Sequence, residues 1–93
     1  MIRSFGDKTT EMVFAGLCPK RFPVELFRMA RRKLEAVHAA ARLDDLRSPP
    51  GNRLEALAGD RKGQYSIRVN DQFRVCFRWK EGDAEDVEIT DYH

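Results

Sequence analysis

The stretch "YSIRVNDQFRVCFRWKEGDAEDVEIT", Tyr65–Thr90, decides the fold, because apolar and polar residues alternate through it with period two. Tyr65, Ile67 and Val69 share one parity, and "NDQ" follows as a hairpin turn. In "FRVCFRW", Phe73, Val75, Phe77 and Trp79 fall on one face and Arg74, Cys76 and Arg78 on the other. "EGD" turns the chain again, and "DVEIT" resumes the alternation at Val87 and Ile89. These are strands of an antiparallel sheet with one face toward a core.

Upstream, "RLEAL" alternates Leu54 and Ala56 against Glu55 and Leu57, and "GDRKG" has turn chemistry. "DDLRSPPGN" is a loop enforced by two prolines and a glycine. Before it, Pro23 suits the first position of a helix over "VELFRMARRKLEAVHAAAR". Phe27, Ala30, Leu34, Val37 and Ala41 form its apolar face, and Arg28, Arg31, Arg32 and Lys33 crowd the remaining surface. "DKTTEMVFAG" reads as a shorter helix capped by Asp7, with Met12 and Phe14 apolar and Gly16 ending it. "IRSF" is a short opening strand. The order β-α-α-β-β-β-β describes an α+β domain, two N-terminal helices against a mainly antiparallel sheet, with residues 1–93 forming one domain.

Composition narrows the function classes. The chain has 93 residues, 42% of them hydrophobic, enough for one modest core. No apolar run reaches the ~18 residues of a membrane span, and "MIRSFGDK" lacks the apolar region of a secretory signal, so the cytoplasm is the expected compartment. All 17 Lys and Arg lie in residues 1–80 with nine acids, a net +8, whereas residues 81–93 carry −6. A basic body of this kind meets an anion, or else its acidic last strand simply neutralises it. Cys18 and Cys76 have no zinc-like spacing with His38 and His93 and read as structural thiols; neither a metal nor a cofactor is expected.

Arg68, Arg74 and Arg78 sit on strands, where a guanidinium can be aimed at an oxyanion, or can form an ordinary surface ion pair. Continuing the last strand puts Asp91 and His93 on the face of Ile89 and turns Tyr92 the other way. A histidine beside Asp91 and a terminal carboxylate favours the imidazolium form, suited to general-acid work.

"RLEALAGDRKGQYSIRVNDQFRVCFRW" followed by "DYH" resembles the HigB family of toxins within the RelE-like superfamily. The resemblance implies a compact microbial-RNase-like fold and a ribosome-dependent, metal-independent mRNA endonuclease of a type II toxin–antitoxin system. It implies 2′-hydroxyl attack on the adjacent phosphate. It also implies neutralisation by a helix-turn-helix antitoxin of the HigA type, through which alone DNA would be met, and no membrane partner. Carried over by position, it assigns catalytic roles to Asp91, Tyr92, His93 and Arg74, and Arg61, Lys62, Arg68 and Arg78 are candidate phosphate contacts. Two positions depart from the family pattern: Glu55 stands where a histidine is usual and Ala58 where a lysine is usual. Either catalysis is weakened, or Glu55 serves as the base. Relatives that poison gyrase without cutting RNA, and a binding module that has lost activity, are the alternative readings.

Overall fold

In a computed structural model, residues 1–92 are described. Two helices, α1 (Lys8–Phe14) and α2 (Val24–Ala39), precede an antiparallel four-stranded sheet with strands in sequential order. The strands are β1 (Glu55–Ala56), β2 (Gln64–Arg68), β3 (Phe73–Lys80) and β4 (Asp83–Asp91). Three short 3-10 turns, Leu43–Arg47, Pro50–Asn52 and Gly59–Arg61, connect α2 to β1 and β1 to β2.

Local chemistry accounts for most boundaries. The Asp7 carboxylate accepts from the Thr10 backbone N–H at 2.7 Å, satisfying one orphan donor at the start of α1. Pro23 is the N-cap of α2, so the helix begins one residue later than expected, at Val24. At the β2–β3 turn the Asn70 side chain accepts from the backbone N–H groups of Gln72 and Phe73 at 2.9 and 2.7 Å. The β3–β4 hairpin turns on Glu81 and Gly82, both with positive φ (51° and 83°), which matches the twist of the flanking strands. The opening segment forms no full strand. Ile2 and Phe5 make isolated parallel bridges to Ala84 and Val87 on the outer side of β4.

The core lies between the helices and one sheet face. Leu26, Ala30, Leu34 and Val37 of α2 and Val13 of α1 are buried with Ile67, Val75, Phe77, Ala84 and Val87. Leu26 and Val13 replace two expected members: Met12 is only half-buried, and Ala41 is exposed beyond the end of α2. On β4, Ala84 and Val87 are three apart, yet both are fully buried. A register irregularity opposite Cys76–Arg78, with Asp86 at φ 52°, restores the phase. His38 is structural: its Nδ1 accepts from the Ile2 backbone N–H at 3.1 Å and its ring packs on Phe14.

Asn52 joins the loop to the helix. Fully buried, it donates to the carbonyls of Leu46 and Ser48 and accepts from Lys33 Nζ at 2.6 Å. Cys76 is also fully buried, and burial pushes its thiol above the ordinary range, while Cys18 is exposed.

Two consequences are measurable. Leu34→Ala removes a fully buried side chain and should cost about 2–5 kcal/mol in denaturant unfolding; a loss under ~1 kcal/mol would contradict the helix–sheet packing. Under native conditions at neutral pH a maleimide should label Cys18 alone, with Cys76 reacting only after denaturation, as read by mass spectrometry.

Candidate active site

The sheet face opposite the core is polar, and one arginine organises it. Arg74, the second residue of β3, is only 8% exposed. Its Nε donates to the Ser66 hydroxyl at 2.7 Å, across the β2–β3 ladder. Its Nη2 donates to the Arg53 carbonyl at 2.6 Å and, more weakly, to the Ser66 carbonyl at 3.4 Å. The same Nη2 lies 3.0 Å from Glu55 Oε1. A buried guanidinium needs such partners, because an unpaired charge there would cost several kcal/mol (roughly 3–5).

The register explains the convergence. Glu55 pairs with Ser66, Ser66 with Cys76, and Arg68 with Arg74, so these residues share one face. Arg53, with φ 46°, is in the left-handed region as it leaves the 3-10 turn Pro50–Asn52, and its carbonyl accepts from the guanidinium. Glu55, at 54% side-chain exposure, is the solvent-facing member of the set.

Tyr92 closes the group. Its backbone N–H donates to the Gln72 carbonyl at 2.7 Å, and its ring centroid lies 5.9 Å from Arg74 Cζ, within cation–π range. The ring is 44% exposed. The strand alternation thus puts Tyr92, rather than Asp91, on the face of Arg74. Asp91 lies opposite Phe73, and its Oδ2 accepts from Gln72 Nε2 at 3.0 Å. His93 lies outside the described residues.

Of the other basic candidates, Arg61 flanks the group from the 3-10 turn Gly59–Arg61. It meets Glu88 at 2.6 Å and donates to Gln64 Oε1 at 3.0 Å. The Glu88 hydrogen bond holds its guanidinium above the ordinary range, with smaller contributions from Cys76 and Tyr92. Lys62 is exposed. Arg68 pairs with Asp71 at the turn, and Arg78 lies 3.4 Å from Asp86. Arg78 therefore stands apart from the Arg74 cluster. Ala58 is exposed and begins the turn that carries Arg61.

Beneath this face the buried Cys76 thiol is beside the Thr90 hydroxyl, which draws its pKa down against the larger effect of burial. Thr90 Oγ1 is buried with no hydrogen-bond partner among the described residues. Sequence reading missed Ser66 and the Arg53 carbonyl. Ser66 had a signal, as a polar residue of the same parity as Arg68 in "YSIRV"; a backbone carbonyl has none.

Residues 3–93 match the family described as RelE-like toxin of type II toxin–antitoxin system HigB. The chain is similar to "Toxin HigB-1" of Vibrio cholerae, 44% identical over 89 residues and 90% of each chain. It is 30% identical to "Endoribonuclease HigB" of Proteus vulgaris over the full length of both. An uncharacterised Haemophilus influenzae protein is 36% identical over 67 residues. With its two helices packed on an antiparallel sheet and a match across nearly its whole length, the chain belongs to the HigB-like toxins of type II toxin–antitoxin systems.

Proposed function

We propose that this toxin is a metal-independent endoribonuclease that cuts mRNA in the ribosomal decoding site. The observation that carries this reading is the convergence of Arg74, Glu55 and Tyr92 on one face of the sheet, in a chain related over its full length to a protein named as an endoribonuclease. The reaction is attack of a ribose 2′-oxygen on the adjacent phosphorus. A 2′-O–P bond forms, the P–O5′ bond breaks, and the products are a 2′,3′-cyclic phosphate and a 5′-hydroxyl.

Each role follows from what a side chain can do. Arg74, preorganised by Ser66 and Arg53, offers positive charge to the phosphorane without further reorganisation. Glu55, at the exposed edge of the group, takes the 2′-proton. His93 protonates the departing O5′. Tyr92, held on the Arg74 guanidinium with much of its ring exposed, gives an unstacked base a surface. Arg61 is a second cation beside Tyr92, supplied from the turn that Ala58 opens. Arg68, Lys62 and Arg78 add basic surface for RNA phosphate.

Residues 1–93 act in this reading as one cytoplasmic toxin domain. No helix among the described residues is long and apolar enough to cross a membrane. A HigA-like helix-turn-helix antitoxin neutralises the toxin and alone contacts DNA. The basic face of α2 at Arg28, Arg31 and Arg32 suits an acidic patch on that partner.

Cleavage of mRNA on programmed ribosomes tests the assignments. Arg74→Ala should lower the single-turnover rate by about 10²–10³. Arg74→Lys should fail to restore it, because an ammonium cannot reproduce the fork that reaches Ser66, Arg53 and Glu55 together. Glu55→Gln should reduce the rate by roughly 10²–10⁴ and remove the acidic limb of the pH–rate profile; an unchanged rate excludes Glu55 as the base. A chain ending after Asp91 should be inactive, and full activity would overturn the roles of Tyr92 and His93.

A further inference from the structure

We propose that Lys33 and Arg68, with Arg32 beside them, form a second anion subsite for a neighbouring phosphate of the mRNA strand that Arg74 engages. The proposal rests on the reading of Arg74 as the cation at the scissile phosphate.

Lys33 and Arg74 are held by adjacent residues. Lys33 Nζ is bound to the Asn52 side chain at 2.6 Å, and Arg74 Nη2 to the Arg53 carbonyl at 2.6 Å. Asn52 and Arg53 are consecutive, with Cα atoms about 3.8 Å apart. Two consecutive residues therefore contact both groups. Arg68 belongs to the same neighbourhood, since it pairs directly with Arg74 in the β2–β3 register.

Charge at this corner is left uncompensated. Arg61, Arg74 and Arg78 each have a carboxylate within ion-pair distance, namely Glu88, Glu55 and Asp86. Among the described residues none lies that close to Arg32, Lys33 or Arg53. Among the described residues the one carboxylate within ion-pair distance of Arg68 is Asp71, whose side chain is 99% exposed at the turn and easily exchanged for another anion. Burial, then Arg32 and Arg68, push the Lys33 ammonium below its ordinary range, so a bound phosphate would relieve a repulsion already present.

A plain tether between helix and loop does not call for this arrangement. A neutral amide or hydroxyl at position 33 could also bond Asn52 without setting a third cation beside Arg32 and Arg68. Lysine has three donors, and Asn52 takes one. The remaining donors and the Arg68 fork can meet the oxygens of one phosphate.

The experiment compares wild type, Lys33→Met, Lys33→Arg and Arg68→Gln on ribosomes programmed with mRNA carrying single neutral methylphosphonate linkages around the cut. Lys33→Met and Arg68→Gln should each raise KM roughly tenfold with kcat nearly unchanged, while Lys33→Arg should stay close to wild type. One neutral linkage next to the cut should raise KM for wild type by a similar factor and have little further effect in Lys33→Met. Arg68→Gln leaves the Lys33–Asn52 bond intact, so it reads the subsite even if Lys33→Met loosens the loop. Wild-type KM in both charge-removing variants, with Arg74→Ala inactive, would overturn the subsite and spare the reading of Arg74. Impaired variants with no sensitive linkage in the messenger would also overturn it, assigning the charge to ribosomal RNA. Normal cleavage by Arg74→Ala would instead defeat the underlying reading.

Discussion

A buried guanidinium is the constraint on which the rest of this structure depends. Arg74 is enclosed within the sheet, where an unpaired positive charge would be far too costly to keep. It is tolerated because a serine, a backbone carbonyl and a carboxylate from three segments meet it at hydrogen-bonding distance. Those partners align only in one register of β1, β2 and β3. A slip of one residue would move Ser66 and Glu55 to the other face and leave the charge stranded. The ion-binding chemistry and the strand register thus enforce each other.

The two faces of the sheet divide the work. One is sealed by α1 and α2 over Val75, Phe77 and Val87 and carries most of the apolar burial. The other is built from groups that hold one another in place: Arg74 with Ser66, Arg61 with Glu88 and Gln64, Tyr92 over Arg74. Preorganisation of this kind means that little has to move when an anion arrives. The exposed Glu55 contact is the one that can be exchanged at least cost. Glu55 also stands at the position where the resemblance read from the sequence led to an expected histidine.

Much of the fold was legible in period-two alternation, because the large apolar residues of β2, β3 and β4 gather on one face. Phe73 to Trp79 fall where that rule puts them, and the Asp7 cap and the "NDQ" turn follow from local chemistry alone. Departures appear where tertiary contact overrides the local pattern. The opening "IRSF" has strand-forming residues but only two bridges to β4. The irregularity at Asp86 shows no signature in "DAEDVEIT" until Ala84 and Val87 are both found in the core. For the site, parity sufficed to separate Tyr92 from Asp91. It did not show that the Arg74 side chain crosses β2 to reach Glu55 and Arg53, since that depends on a two-residue β1 and a left-handed turn at Arg53.

The bridges made by the opening segment have a further effect, on how the sheet meets other chains. Backbone groups of Met1, Arg3, Ser4 and Gly6 pair with Ala84 and Val87, so the outer margin of β4 is already occupied. The opposite margin is shortened to Glu55 and Ala56. Neither rim offers a long open template for strand addition, the usual route by which small antiparallel sheets self-associate. In a chain built this way the sheet's own hydrogen-bonding capacity is spent inside the toxin.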